Sequence, residues 1–571
     1  MEKIKELRKK IINLNLDGYI VPKNDEFFSE YTPNYKDTLR HITNFTGSYG
    51  LAIILKNKNY LLVDGRYTLQ AKKQSGDNFK IITIPTKNLN KQLKTKNMNI
   101  GFNPKLFNNN VIKKLKHVLN CNLIPSTKNI FKNLSNNYKV KKNLFYFLKN
   151  SVTGQSTPSK IKKLTGHLNK KKLDMCLVTS PENVAWLLNM RGADSDFSPI
   201  PNSNLILDKK NKIFLFCDLN KVKKNFRKKV KNLKIMNIKY IDRFLMSIQK
   251  KNFLIDNLTC SVYLQNLVRK KNFIKDTLDP IYKYKSIKNK VEIKNTKKIH
   301  EYDGAALTKF LYWVKNNYKK RIITEIIAQN KLLEFRKKFK KFKFLSFPTI
   351  SSTGPNGAIV HYKATQNTNK ILKNGNLYLV DSGGQYHYGT TDVTRTISLG
   401  NKDKRIKEIF TRVLKGHLHV SNYNLKGKTT GSKIDKIARK FLKEINIDYS
   451  HGTGHGVGYF LNVHEGPQSI SRLNKIKLRP GMILSNEPGY YEEGSFGIRI
   501  ENLITIVKKK NKNIFQNLTY APIDRNLIEK KLMSSKEIHW LNNYHKEVYQ
   551  KLKRYMNKNE LIFLRESCSN I

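Results

Sequence analysis

Residues 377–399 read LYLVDSGGQYHYGTTDVTRTISL. Apolar runs flank a Gly-rich centre, which is the pattern of a β-hairpin. Asp381 ends the first run and Asp392 begins the second. The two strands of a hairpin lie side by side, so the sequence predicts that these carboxylates are neighbours. Close, buried carboxylates repel each other, and a divalent cation offsets that repulsion best. Turns also favour Asp for local reasons, so the pair alone leaves a structural interpretation open.

Histidines follow in a second Gly-rich stretch, HGTGHGVG at residues 451–458. His451 and His455 are four residues apart, but glycine at every second position disfavours a helix. The stretch predicts a strand or tight loop whose backbone closely approaches another segment. His464 lies nearby in NVHEGP. One histidine is usually structural, whereas this group indicates a site.

Two glutamates complete the set. Glu487 stands in LSNEPGYY and Glu501 in IRIENLITI, whose alternation predicts a strand. Arg499, two residues before Glu501, is expected on the same face, where charge-assisted bonds can orient a carboxylate. Four carboxylates and one imidazole predict a site for two divalent ions, and these donors favour Mn, Co or Zn over a thiolate-type site. The predicted ligands are Asp381, Asp392, His455, Glu487 and Glu501.

Composition limits the class of protein. The chain has 571 residues, of which 39% are hydrophobic, and this excludes a wholly disordered protein. Its 109 Lys and Arg against 42 Asp and Glu give a net charge of +67, which invites a nucleic-acid interpretation. The basic residues are dispersed, however, and only four lie within 351–400. We interpret the charge as compositional bias and expect no nucleic-acid partner.

Cysteine usage and hydropathy bear on the compartment. The five cysteines are widely spaced and form no CxxC motif, which is typical of free thiols in a reducing compartment. No apolar run approaches the roughly 20 residues that a membrane-spanning helix needs. We therefore expect a soluble cytoplasmic protein without a membrane partner.

The chain divides by its pattern into four parts. Short apolar runs at residues 18–22 and 173–178 each follow a charged helix, which predicts two similar α/β units. Helical stretches follow through residue 345, and the hairpin comes next. Helices are then predicted at about residues 402–421 and 431–445, and Gly-rich strands at residues 451–507. The tail is expected to be mostly helical, with Trp540 and Leu541 as docking residues. The predicted domains span residues 1–150, 151–287, 288–510 and 511–571.

These motifs resemble those of a known family. The segments PTISSTGPNGAIVHY, LVDSGGQYHYGTTDVTRT, HGTGHGVGYFLNVHEGP and LSNEPGYYEEGSFGIRIEN are similar to the pita-bread metallopeptidases of family M24B, in particular the large cytosolic aminopeptidase P (Xaa-Pro aminopeptidase) group. The resemblance covers nearly the whole chain. It implies an α/β and α+β fold, with two creatinase-like α/β domains, then a pita-bread catalytic domain with a C-terminal helical tail packed on it.

The resemblance also implies roles for the ligands. Asp381 would bind one metal, and His455 and Glu487 the other, while Asp392 and Glu501 would bridge both. Glu487 would double as the catalytic base. The two ions implied are divalent, Mn²⁺ foremost, with Co²⁺ or Zn²⁺ as alternatives.

Other implied residues contact the substrate or support a ligand. His361, His451 and His464 would line the active site as catalytic residues, and Arg499 would support Asp381. The implied activity is release of the N-terminal residue from peptides with proline in second position. The implied assembly is a homodimer.

Alternative functions remain open at this point. A prolidase would cut only Xaa-Pro dipeptides, although the long N-terminal half and the tail are more similar to aminopeptidase P. Methionine aminopeptidases use similar ligands but lack that N-terminal half. A non-catalytic pita-bread binding module, or a metal-free creatinase-like amidinohydrolase, is disfavoured because all five ligands are present.

Overall fold

The computed structural model describes residues 2–86, 89–128, 130–131, 143–224, 226–400 and 403–571. The chain forms two compact units, Met1–Tyr282 and Lys283–Ile571. No helix in the described ranges combines the length and the hydropathy that crossing a bilayer requires. All five cysteines are free and buried, in agreement with the prediction of free thiols.

The first unit contains two six-stranded sheets. The first sheet comprises β1 (Gly18–Pro22), β2 (Leu51–Leu55), β3 (Asn59–Asp64), β4 (Lys80–Ile84), β5 (Asn99–Phe102) and β6 (Asn122–Pro125). After the short strand β7 (Tyr146–Phe147), which pairs with β9 (Met190–Arg191), the second sheet comprises β8 (Met175–Val178), β10 (Ser203–Asp208), β11 (Ile213–Cys217), β12 (Leu233–Asn237), β13 (Asn252–Ile255) and β14 (Phe273–Asp276).

The two six-stranded sheets have the same topology. Their strand orders are β4-β3-β2-β1-β5-β6 and β12-β11-β10-β8-β13-β14. In each sheet the second to fourth strands in this order pair antiparallel, and the remaining neighbours pair parallel. The predicted pair of similar α/β units is therefore present, since order and strand sense both repeat.

Helices flank these sheets. In chain order they are α1 (Glu2–Ile12), α2 (Thr38–Thr43), α3 (Thr68–Ser75), α4 (Leu89–Leu93), α5 (Asn109–Leu119), α6 (Asn150–Thr153), α7 (Thr157–Lys170), α8 (Pro181–Leu187), α9 (Ile241–Ser247), α10 (Val262–Arg269) and α11 (Pro280–Ser286). Helix α7 begins where its sequence indicates, because the Ser156 hydroxyl accepts from the Ser159 N–H and proline occupies the first turn.

In its described residues, the second unit combines six α-helices with antiparallel sheets. Its helices are α12 (Lys290–Asn317), α13 (Glu325–Lys337), α14 (Lys404–Ser421), α15 (Gly431–Lys443), α16 (Ser535–Leu552) and α17 (Lys558–Ser567). A capping box starts α12: the Asn289 side chain accepts from the backbone of Val291 and Glu292, and Glu292 accepts from the Asn289 N–H. A Cβ at Gly304 would lie 1.9 Å from the Tyr520 carbonyl oxygen, so glycine allows α12 to pack this closely.

Thirteen strands of this unit form four small sheets. They are β15 (Phe342–Leu345), β16 (Ile350–Thr353), β17 (Leu377–Ser382), β18 (Gly384–Tyr386), β19 (Gly389–Thr390), β20 (Val393–Ser398), β21 (Gly454–Gly456), β22 (Glu465–Ile470), β23 (Ile483–Asn486), β24 (Gly489–Glu492), β25 (Phe496–Arg499), β26 (Asn502–Lys509) and β27 (Lys512–Asn517). The sheets are β15-β18-β19, β16-β17-β20, β22-β21-β23-β26-β27 and β24-β25.

The opening hairpin forms as predicted. Strands β17 and β20 pair antiparallel, with Asp381 opposite Thr394, and the connection between them folds into a smaller hairpin, β18–β19. The helices expected at about 402–421 and 431–445 correspond to α14 and α15. Leu541 is fully buried and Trp540 packs partly buried beside the same core, so the tail docks through these residues.

Three expectations were wrong in detail. Residues 342–345 form β15 rather than helix, because Phe342 and Leu345 pair with β18. Residues 512–517 form β27 rather than helix, and this strand closes the edge of the five-stranded sheet. The strand expected through Glu501 is interrupted at residues 500–501, because β25 pairs with β24 whereas β26 pairs with β23 and β27.

Candidate metal centre

Five side chains converge from separate segments of the second unit. Asp381 is on β17 and His455 on β21, while the other three stand just outside strands. Asp392 precedes β20, Glu487 follows β23, and Glu501 occupies the break between β25 and β26. Strand ends allow these side chains to turn toward one another, which the alternation of a continuous strand would prevent.

Three of the five are the nearest neighbours. Asp392, His455 and Glu501 each offer one ligand atom, and these atoms all lie within 4.8 Å of one another. His455 Nε2 is 3.5 Å from Asp392 Oδ2 and also 3.5 Å from Glu487 Oε1. Four of the five predicted ligands thus form one cluster, in which Glu487 adjoins the triad through the imidazole. Asp381 lies near enough for the charges of Asp392 and Glu487 to raise its pKa.

Asp381 is fixed on one side by an arginine. Arg499, 2% exposed, donates from Nη2 to Asp381 Oδ2 at 2.7 Å. The other carboxylate oxygen, Oδ1, is buried and has no hydrogen-bond partner among the described residues. A buried carboxylate oxygen without a donor is costly unless a cation completes it. This oxygen is the observation that best fits a metal ion.

His455 is oriented for ligation by its own backbone neighbour. Its Nδ1 lies 2.9 Å from the carbonyl oxygen of Gly456, which can only accept, so Nδ1 carries the proton. Nε2 then faces the carboxylates. This arrangement of a ring nitrogen bonded to a carbonyl is typical of metal-bound histidines.

Burial and neighbouring charges shift the pKa values of the clustered side chains. The pKa of Asp381 is raised to about 7. Burial is the main cause, the charges of Asp392 and Glu487 add to it, and Arg499 opposes it. Burial also raises the pKa of Glu487, and it raises that of Glu501 well above its usual range together with the neighbouring carboxylates. Burial lowers the pKa of His455, but its bond to Asp392 and the charge of Glu487 bring it to about 9. The cluster therefore holds protons that a cation would displace.

The three predicted active-site histidines border the cluster differently. The His464 ring is exposed, and its centroid lies 4.2 Å from that of His455. His451 Nε2 is 2.9 Å from the Tyr491 hydroxyl. His361 is half-buried and follows Val360, whose carbonyl oxygen accepts from Arg499.

Sequence reasoning missed three residues at this site. Thr394 Oγ1 donates to Glu501 Oε2 at 2.7 Å and accepts from Arg499 Nε at 3.2 Å, which links two strands at the cluster. The Tyr491 hydroxyl accepts from Arg499 Nη1 at 2.5 Å and thereby joins His451 to Asp381. The fully buried Arg395 donates to the carbonyl oxygen of Glu501 at 2.7 Å. The segment TDVTRT alternates, which places Thr394 beside Asp392 on one face, and this was the available signal.

Family models cover the chain almost end to end. The model described as metallopeptidase family M24 matches residues 294–508, and the C-terminal region of the same peptidases matches residues 514–571. Two models of the creatinase/prolidase N-terminal domain match residues 3–133 and 137–292. These matches confirm the predicted fold class of two creatinase-like domains followed by a catalytic domain.

Full-length relatives carry one kind of name. The chain is 36% identical to "Xaa-Pro aminopeptidase 1" of Dictyostelium discoideum, over 96% of this chain and 93% of the relative. It is 35% identical to "Probable Xaa-Pro aminopeptidase P" of Laccaria bicolor, over 100% and 93%.

Solved structures match this chain over different shares of its length. The X-prolyl aminopeptidase of Caenorhabditis elegans, described as "a cytosolic enzyme with a di-nuclear active site", matches at a TM-score of 0.94 and 29% identity over 100% of this chain and 99% of that one. The prolidase of Pyrococcus horikoshii matches at 0.52 and 25% identity over 99% of its own length but only 64% of this chain.

A divalent ion should stabilise the fold. Adding Mn²⁺ at about 100 times its Kd to chelator-treated protein is expected to raise Tm by roughly 5–10 °C, because only the folded cluster binds it. The rise should shrink from pH 7.5 to pH 5.5, since protons then compete for Asp381, whose pKa is about 7, and for His455. Differential scanning calorimetry measures both effects. A rise of equal size in Asp392→Asn, or none in the native protein, would show that the ion does not bind here.

Proposed function

The chain belongs to metallopeptidase family M24, and on that premise we propose that it is a metal-dependent aminopeptidase. It releases the N-terminal residue from peptides with proline in second position. The observation that carries this proposal is the end-to-end match to an X-prolyl aminopeptidase, together with the cluster that four of the five predicted ligands form around His455.

We assign the metal ligands residue by residue. Asp381, Asp392, His455, Glu487 and Glu501 would hold two divalent ions, and Asp392 and Glu501 would serve both. The unpartnered Oδ1 of Asp381 and the close triad support this assignment. Oxygen donors with one imidazole suit Mn²⁺, which we propose as the preferred ion, with Co²⁺ or Zn²⁺ as alternatives.

When bound, the ions would supply Lewis acidity toward the scissile carbonyl and would lower the pKa of water toward neutral pH. Glu487 is the proposed general base. Its Oε1 accepts from the Ser485 hydroxyl at 3.0 Å, which fixes the plane of the carboxylate. Its raised pKa suits a group that takes a proton and passes it on.

The histidines have distinct proposed tasks. His464 is exposed beside His455, so it can donate to the oxyanion of the tetrahedral state, with His361 as a second donor. His451 is held by Tyr491 and contacts bound substrate. Arg499 keeps Asp381 in place.

Substrate selection follows from charge and shape. The carboxylate cluster attracts the free α-ammonium group of a peptide. A proline in second position makes the scissile amide tertiary, so that site must accept a ring without relying on an N–H donor.

Two other functions are weaker. A prolidase is disfavoured because the structure that matches this chain end to end is an X-prolyl aminopeptidase, and relatives that match over 96–100% of the chain carry aminopeptidase names. A non-catalytic binding module is disfavoured because all five proposed ligands are present, and three of them bring ligand atoms within 4.8 Å of one another.

The remaining proposals concern organisation. We place the domain limits at residues 150, 287 and 510, and the family-model ends at residues 133, 292 and 508 support this division approximately. We also propose a cytoplasmic homodimer. The described location of the nematode enzyme supports the compartment.

Hydrolysis of matched peptides tests the function. The native protein should cleave Xaa-Pro-Xaa tripeptides, and it should leave Xaa-Ala-Xaa tripeptides intact. Chelation should abolish cleavage and Mn²⁺ should restore it best, because the nucleophile depends on the ions. Chromatographic assay of the released residue provides the measurement. Activity that survives chelation would refute the metal mechanism, and activity confined to Xaa-Pro dipeptides would favour a prolidase.

The role of His464 has its own test. His464→Ala is expected to lower kcat by about 10²–10³-fold, as for a lost oxyanion donor, while both ions remain bound. Steady-state kinetics and elemental analysis measure these quantities. Asn462→Ala, a change in the same loop, is the control and should keep kcat within about threefold. Unchanged turnover in His464→Ala would leave this residue without a catalytic role.

A further inference from the structure

A buried carboxylate directly follows His464. The Glu465 side chain is 1% exposed, and Lys288 Nζ forms an ion pair with its Oε1. Lys285 Nζ lies 3.4 Å from Oε2. The two lysine side chains are only 1% and 2% exposed, so one anion and two cations share a site withdrawn from water.

The backbone connects this ion cluster to two site histidines, His464 and His455. Glu465 begins β22 opposite Gly456 of β21, which follows His455. A Cβ on Gly456 would lie 2.1 Å from the Glu465 carbonyl oxygen, so the two strands approach as closely as glycine permits. His464 is exposed whereas Glu465 is buried, because successive side chains of an extended chain point to opposite sides. Any shift of the Glu465 backbone therefore moves the His464 ring relative to His455.

The preceding loop is also anchored at Leu461. Gln385 Nε2 donates to the carbonyl oxygen of Leu461 at 2.7 Å, and Thr390 Oγ1 donates to the same oxygen at 3.3 Å. Both donors lie on the small hairpin between Asp381 and Asp392. This anchor holds the middle of the loop, and Glu465 holds its end.

The lysine side of the cluster is itself rigid. The Lys288 N–H donates to the carbonyl oxygen of Gly481 at 2.9 Å, and Asn289 then caps α12. The cation is thus attached to the start of a 28-residue helix. Away from water, the attraction between Lys288 and Glu465 is strong and falls steeply as they separate.

We propose that Glu465 and Lys288 are positioning residues that hold His464 at the distance from the metal centre that catalysis requires. The inference rests on the proposed function. Neither residue touches the reacting atoms; both act through the backbone of the residue beside them. We call the Glu465–Lys288 ion pair the clamp. A displacement of about 1 Å in a catalytic group can lower a rate by about 10²-fold, so loss of the clamp should have a measurable effect on kcat.

Steady-state kinetics on an Xaa-Pro-Xaa peptide tests the clamp. Lys288→Met keeps the length of the side chain and removes its charge. It should lower kcat by about 10- to 100-fold, change KM by less than about threefold, and leave two ions bound. Lys288→Arg should recover most of kcat, because it restores the charge. Glu465→Gln should lower kcat in the same way, and it replaces Lys288→Met if that variant does not fold.

A matched control separates positioning from general loss of stability. Lys309 forms an ion pair with Glu560, between α12 and α17, with 18% and 9% of the side chains exposed. Lys309→Met removes an ion pair in the same unit and should leave kcat unchanged. An equal loss of kcat in Lys309→Met would overturn the proposal.

A double-mutant cycle with His464→Ala decides the route of the effect. If Lys288 acts through His464, Lys288→Met should lower kcat no further in the His464→Ala background. If the kcat losses of Lys288→Met and His464→Ala add fully, or if Lys288→Met keeps the native kcat, the positioning role of Lys288 is refuted, while the proposed function stands. A native protein that binds two ions and cleaves no Xaa-Pro peptide would instead refute the proposed function.

Discussion

Mutual repulsion among four clustered carboxylates, three of them buried, is the constraint on which the second unit depends. Asp381, Asp392 and Glu501 are each less than a tenth exposed, and Glu487 adjoins them. One arginine and one imidazole bring positive charge, which leaves the cluster short of cations. Burial raises the pKa of Asp381, and the charges of Asp392 and Glu487 add to that effect. Two divalent ions would relieve the repulsion.

Strand pairing and hydrogen bonds from several segments hold these carboxylates in place. Strands β17 and β20 place the two aspartates, and Thr394 connects Glu501 with Arg499 across the neighbouring strands. Arg395 binds the backbone at Glu501 and also donates to the carbonyl oxygen of Ala521, so the C-terminal part of the chain contributes to the site without supplying a ligand. The positions of the proposed metal ligands therefore depend on residues from several segments of the second unit.

The ligands could be predicted from the sequence, whereas their supports could not. Asp381 and Asp392 were predictable because the local sequence pattern indicates a hairpin. The paired strands of a hairpin bring these two residues together. The break at Glu501 was not, since the alternation of IRIENLITI continues through it and only pairing with different strands interrupts it. Lys288 gave no signal at all, because 109 basic residues conceal the few that are buried. Its partner is 177 positions away, and only the folded chain brings them together.

The central claim is that five side chains of one unit hold two divalent ions. Anomalous diffraction from crystals grown with Mn²⁺ tests it most directly, because it locates each ion independently of activity. The account predicts two peaks per chain, both in contact with Asp392 and Glu501, one reaching Asp381 and the other His455 and Glu487. A single peak, or peaks away from these carboxylates, would contradict it.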